Sequence, residues 1–159
     1  MSLILADTTV LNNFAQARRP DLLRLAYPNL AAPRVVREEL ARGERLGLVL
    51  RGDWSWLNLL DLTDGEKSRV TDFERLLQAG EAACLAIAEA RDGTVLTDDG
   101  SARRVAASMH LETSGTIGAL VRLERKGVIT FPLGDSLLTE MVSRGYRSPI
   151  RSLREVLPK

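Results

Sequence analysis

The sequence predicts an α/β fold, a three-layer α/β/α sandwich with a short, mainly parallel central sheet. Short apolar runs, among them Leu3-Ile4-Leu5-Ala6 and Thr94-Val95-Leu96-Thr97, alternate with stretches of helical periodicity. That is the pattern of strands buried on both faces beneath covering helices. The 159 residues are 45% hydrophobic and 27% charged, the make-up of a globular chain able to bury one core. No internal repeat, low-complexity tract or long linker interrupts them. Residues 1–159 are therefore expected to form one domain, with 131–159 as a C-terminal helical extension.

Each element has a local reason. The run 3–6 stops at Asp7 and leads into a helical stretch with Leu11 and Phe14, with Asp7 or Thr8 available as N-cap. Pro20 opens a short helix around Leu22, Leu23 and Leu25. Leu30-Ala31-Ala32 reads as a strand, and Pro33 is placed to start a helix over 35–42. The partial alternation from Trp54 to Leu59 predicts a peripheral strand. Two helices follow, over 66–78 and 81–90, separated by Ala79-Gly80. A strand over 94–97 ends in Asp98-Asp99-Gly100. A helix over 102–108, a strand near 110–112 and a helix over 116–125 complete the core. Further helices are expected beyond 131, near Pro132 and Pro149.

Composition excludes several chemistries. One cysteine, Cys84, leaves no internal disulfide, and one cysteine with one histidine cannot build a zinc site. Cys84 lies in an alanine-rich helical stretch and reads as a small core residue. His110 reads as structural or exposed. No apolar run approaches a membrane span and no signal peptide opens the chain, so no membrane association and a cytoplasmic location are expected. The net charge of +1 hides an asymmetry. Residues 1–100 hold 12 basic against 16 acidic side chains, and residues 101–159 hold 10 against 5. Such a division suits a protein that binds cations and a polyanion together, and chance scatter produces it as readily.

Ligand sites of open α/β sheets lie beyond the carboxyl ends of the strands. Asp7 and the pair Asp98-Asp99 each follow an apolar strand, so both fall on that edge. Clustered carboxylates repel unless a cation offsets them, and Mg²⁺ or Mn²⁺ prefers oxygen ligands. Singly, Asp7 is equally an N-cap and Asp98-Asp99-Gly100 a turn. On a helical wheel, Glu39 falls roughly 60° from Val36 on the apolar side while Glu38 falls on the opposite face. An inward glutamate needs a metal or an arginine partner. Glu81, in the first turn of its helix, lies on the Leu85 and Ala88 side, which permits an inward role.

These residues resemble a known family. Ala6-Asp7-Thr8-Thr9-Val10-Leu11 and Pro33-Arg34-Val35-Val36-Arg37-Glu38-Glu39-Leu40 look like the opening of PIN-domain proteins. Gly80-Glu81-Ala82-Ala83 and Leu96-Thr97-Asp98-Asp99-Gly100-Ser101-Ala102-Arg103 look like the second half. Ser114-Gly115-Thr116-Ile117-Gly118-Ala119-Leu120 is similar to a stretch of a little-characterised PIN-like branch. The resemblance runs in order from Leu3 to about Val128. It departs at Asn12-Asn13, often small or aliphatic in relatives, and at Glu81, more often aspartate.

The resemblance implies a Mg²⁺- or Mn²⁺-dependent endoribonuclease, commonly the toxin (VapC-like) of a toxin–antitoxin pair. It implies catalytic and metal-binding roles for Asp7, Glu39, Glu81 and Asp99, with Asp98 competing as ligand. Thr8 and Arg103 are candidate substrate-binding residues. Thr8 and Thr97 read equally as cap and strand residues, and Arg103 is expected to pair with a carboxylate or to touch a phosphate. Arg144, Arg147, Arg151 and Arg154 offer an RNA-binding face or an ordinary solvated one. RNA, a small antitoxin and a second copy of the chain are the implied partners, with Leu22, Leu23 and Leu25 as a candidate antitoxin groove. The alternative is a catalytically weak PIN-like module acting through a protein partner. A receiver-type phosphotransfer domain is disfavoured because no late strand ends in lysine.

Overall fold

The computed structural model describes residues 2–157. Five parallel strands form one sheet: β1 (Leu3–Ala6), β2 (Ala31–Pro33), β3 (Asn58–Leu60), β4 (Gly93–Leu96) and β5 (Thr113–Ser114), in the order β3-β2-β1-β4-β5. Among the described residues, eight α-helices flank it: α1 (Thr8–Gln16), α2 (Pro20–Ala26), α3 (Arg34–Arg45), α4 (Asp64–Phe73), α5 (Ala79–Arg91), α6 (Gly100–Ser108), α7 (Thr116–Arg125) and α8 (Phe131–Ser143). Helices α1, α2, α7 and α8 pack on one another, and α3, α4 and α6 gather about α5. The arrangement is the expected three-layer sandwich.

Strand β1 is central, and its register with β4 sets the site. Ala6 lies opposite Leu96, and the Asp7 N–H donates to Leu96 O at 3.0 Å. The residues that follow these two strands therefore emerge side by side at the carboxyl edge. Helix α5 is buried on nearly every side, from Ala82 through Ala88. Its small side chains let it lie close against β1, β2 and β4, and the Cys84 thiol donates to Ala6 O at 3.5 Å. Cys84 is the small core residue expected. Burial, followed by the charges of Asp7, Glu39 and Glu81, pushes its thiol well above the ordinary range.

Several boundaries differ from expectation, each for a local reason. The segment before β3 is a turn and not a strand through Trp54: Asp53 Oδ1 accepts from the Ser55 N–H and hydroxyl, and Trp56 Nε1 donates to Asp53 O. Helix α4 starts two residues earlier than predicted, because Thr63 and Glu66 close a capping box, and it ends at Phe73. Ala79-Gly80 is not a break but the first turn of α5. Pro33 ends β2 and sits at the N-cap of α3. Strand β5 lies two to three residues later than expected, after a left-handed His110 at φ 57° that is exposed. Beyond α8, the only helical element among the described residues is a 3₁₀ turn, Leu153–Glu155. Pro149 therefore starts no α-helix, and the last two residues of the expected extension lie outside the described residues.

Candidate functional site

The carboxyl edge gathers acids from four separate elements. Asp7 is the N-cap of α1, with only 1% of its surface exposed. Its Oδ1 accepts from Thr9 N (3.0 Å), Thr9 Oγ1 (2.5 Å) and Val10 N (3.4 Å). Its Oδ2 is buried and accepts nothing. The cap reading of Asp7 holds: one oxygen caps the helix, and the other is left without a donor. Burial pushes the Asp7 carboxyl from 3.8 to about 6, with the hydroxyls of Thr9 and Thr97 pulling down and the charge of Asp98 pushing up.

Glu39 is half-buried and Glu38 exposed, as the wheel required. The Thr8 hydroxyl donates to Glu39 Oε2 at 2.8 Å, and among the described residues Glu39 makes no ion pair. Thr8 therefore orients a carboxylate. A Cβ on Gly80 would lie 2.6 Å from Glu39 Oε1, so the glycine in the Gly80-Glu81 motif is the space that Glu39 occupies.

Glu81 receives the Gln78 N–H on Oε1 at 3.2 Å, the first-turn capping role that its position permits. Its Oε2 is a second buried oxygen without a donor. Burial first, then hydrogen bonding to Asp99 and the charges of Asp99 and Asp7, push the Glu81 carboxyl to about 8. The same hydrogen bond holds Asp99 below its ordinary value. Asp99 also N-caps α6, accepting from Ala102 N at 2.8 Å.

Asp98 is placed differently. Its oxygens accept from Asn13 Nδ2 (2.9 Å), Thr116 N (2.9 Å) and Thr116 Oγ1 (2.5 Å), and its own N–H donates to Thr9 Oγ1 at 2.9 Å. It ties α1, β4 and α7 together. Thr97, fully buried, accepts from Asp99 N at 3.1 Å and so orients that acid's backbone. Among the described residues, Arg103 makes no ion pair with a carboxylate. Its Nε donates to Thr97 O at 2.9 Å, and its guanidinium lies beside Asp98 across space kept open by Gly115.

Sequence reasoning missed Thr9, Asn13 and Thr116, the donors that hold the acids in place. One signal was available: Thr9, Asn12, Asn13 and Gln16 form a polar stripe at helical spacing opposite Val10, Leu11, Phe14 and Ala15. The proposed partner groove is a correction. Leu22 and Leu23 are 1% and 0% exposed, so they are core, and only Leu25 reaches solvent. The tail arginines do not act as one free face either. Arg144 pairs with Glu140, and Arg154 lies over the Phe131 ring.

The donors at this edge are carboxylate oxygens, which suit a hard divalent cation. The orphaned Asp7 Oδ2 and Glu81 Oε2 are the kind of buried acceptors that such an ion satisfies. Among the described residues, however, no group of three or more His, Cys, Asp or Glu side chains is placed to hold a metal ion. The acids hold hydroxyls, amides and one another instead.

Comparison with known proteins agrees with the fold. No curated protein matches the chain. The crystal structure of PAE2754 from Pyrobaculum aerophilum is similar, with a TM-score of 0.54 and 20% identity over 78% of this chain and 98% of that one. A family model described as a PIN domain matches residues 3–159. By that match over nearly its whole length, the chain belongs to the PIN-domain family, a fold of nuclease type.

Proposed function

We propose that this PIN domain is a Mg²⁺- or Mn²⁺-dependent endoribonuclease and serves as the toxin of a toxin–antitoxin pair. The observation that carries the reading is the pair of buried carboxylate oxygens, Asp7 Oδ2 and Glu81 Oε2, left without donors at the carboxyl edge of a parallel sheet. Nothing in ordinary packing favours two such acceptors close enough to feel each other's charge. Asp7, Glu39, Glu81 and Asp99 would hold the cation. The chemistry that a bound cation supplies at such an edge is acidification of water and neutralisation of charge on a phosphodiester.

The chain's own residues do the rest. Thr8 and Thr9 fix one oxygen each of Glu39 and Asp7. Asp98 braces the edge through Thr116 and Asn13. Burial and the neighbouring acids push the Glu81 carboxyl to about 8, and a cation takes the ionised form, so metal affinity should rise with pH. Arg103 offers a guanidinium without an ion pair to a phosphate beside the acids. A small antitoxin and a homodimer belong to the same reading through the family resemblance. The partner would have to be tested as the small protein encoded beside this chain.

The test is cleavage of a mixed RNA pool by the wild type with Mn²⁺, by the wild type with EDTA, and by Asp7→Ala with Mn²⁺. Cleavage only in the first lane supports the reading. Equal cleavage by Asp7→Ala places the activity elsewhere. No cleavage, together with no thermal stabilisation by Mn²⁺, leaves a partner-binding module as the better account.

A further inference from the structure

Beside the acidic edge lies a pocket of 310 Å³, at the small end of the range for ligand sites. One wall is the polar stripe of α1, Thr9, Asn12, Asn13 and Gln16, and the facing wall is Tyr146 with Arg147. Thr9 belongs to both places, since its hydroxyl also binds Asp7 Oδ1 and accepts from the Asp98 N–H. A strand with its phosphate at the acids would therefore present a neighbouring base here.

The donors and acceptors of the stripe are not equally free. Asn13 Nδ2 is committed to Asp98 and Thr116. Gln16 is committed at both ends, donating to Leu48 O and accepting from Leu50 N. Asn12 makes no side-chain hydrogen bond among the described residues, and its Oδ1 is a buried acceptor without a donor. The carboxamide can therefore turn about its Cβ–Cγ bond at no hydrogen-bond cost and offer its acceptor and donor together. A side-chain amide presented in this way matches the amino group and ring nitrogen of adenine. Across the pocket, the half-buried Tyr146 ring is engaged by no aromatic or cationic side chain among the described residues. Such a ring is a stacking surface for an unpaired base. Arg147, without an ion pair among the described residues, also lines the neighbouring cavity that Asp98 and Arg103 line.

We propose that this pocket is a nucleobase subsite that reads an unpaired adenine next to the scissile phosphate, with Asn12 pairing its edge and Tyr146 stacking on its face. This rests on the ribonuclease reading above. The preference should survive without catalysis, so it is measured in EDTA by fluorescence anisotropy with short labelled oligo(A) and oligo(U). Wild type is expected to favour oligo(A) roughly tenfold, the discrimination typical of one bidentate amide–base pair. Asn12→Ala should lose that preference with its melting temperature intact, because Asn12 Oδ1 has no partner to lose. Tyr146→Leu should weaken both oligonucleotides alike. Equal binding of the two by wild type, or a preference that survives Asn12→Ala, overturns the subsite. Metal-dependent cleavage of the mixed pool without any base preference at the cut would sink the subsite and keep the ribonuclease reading. A preference for oligo(A) in a protein that cleaves with no metal would keep the subsite and sink that reading.

Discussion

Replacing Asp7 by Asn should make the metal-free protein more stable, although it removes a central residue of the proposed site. Asn caps a helix about as well as Asp, and its Oδ1 can keep the Thr9 and Val10 donors. What it removes is a buried charge. The Asp7 carboxyl rises from 3.8 to about 6 on folding, which corresponds to about 3 kcal/mol against the ionised folded form. The sign follows from proton counts. Below 3.8 the carboxyl is protonated in both folded and unfolded chains, and between 3.8 and about 6 only the folded chain keeps the proton. Stability of the wild type should therefore fall as pH rises through that window, and above it the full cost stands. For a chain of this size, about 3 kcal/mol corresponds to roughly 6–12 °C in melting temperature. Melting curves in EDTA across this pH range should show Asp7→Asn above wild type at about pH 8 and level with it near pH 4. Adding Mn²⁺ should raise the wild type and leave the variant unchanged. If Asp7→Asn melts at or below the wild type at the alkaline end in EDTA, the buried carboxylate is already compensated. The case that the acids need a cation then fails.

Three further outcomes follow from the packing. Gly80→Ala should gain helix propensity of up to about 1 kcal/mol, yet lose most metal-dependent cleavage, because the new Cβ would lie 2.6 Å from Glu39 Oε1; melting and cleavage measured side by side would separate the two effects. Leu23→Ala should cost about 2–5 kcal/mol in chemical denaturation, whereas Leu25→Ala, at a position 47% exposed, should change little. Glu66→Gln should cost about 2 kcal/mol, because Glu66 is buried and takes both Arg91 Nε and Nη2 at 2.8 Å. The Arg91 hydrogen bonds hold Glu66 down from 4.5 to about 2. The stability it contributes is present above 4.5 and is lost as pH falls through about 2, so the gap between wild type and variant should close over that acid range.

The parts of the fold that could be read from the sequence are those that local chemistry decides. Leu3-Ile4-Leu5-Ala6 is a short apolar run stopped by Asp7, which reads as a strand, and the wheel placed Glu39 inward because it falls between Val36 and Val35. The start of β3 was misread because Trp54 and Trp56, two positions apart, mimic strand alternation across a turn that Asp53 makes. In the site, Asp7, Asp98 and Asp99 could be found by position, since strand ends are where such sheets bind ligands. Their support could not. Asn13 reaches Asp98 across 85 positions and Thr116 across 103, and no local pattern announces which hydroxyl or amide will close such a distance. The polar stripe on α1 was visible but had no partner in the sequence to give it meaning.

The way the edge is assembled has a consequence for synthesis. Asp7 is made early, but the strand that carries Asp98 and Asp99 beside it arrives more than eighty residues later, and Thr116, which secures Asp98, follows that. Pairings this distant form late, because the chain must close a long loop before any contact rewards it. A growing chain on the ribosome thus carries the acids as separate, solvated side chains for most of its translation. The cluster comes into being only when the sheet closes, so the complete acidic edge exists only once β4 and α7 have joined β1.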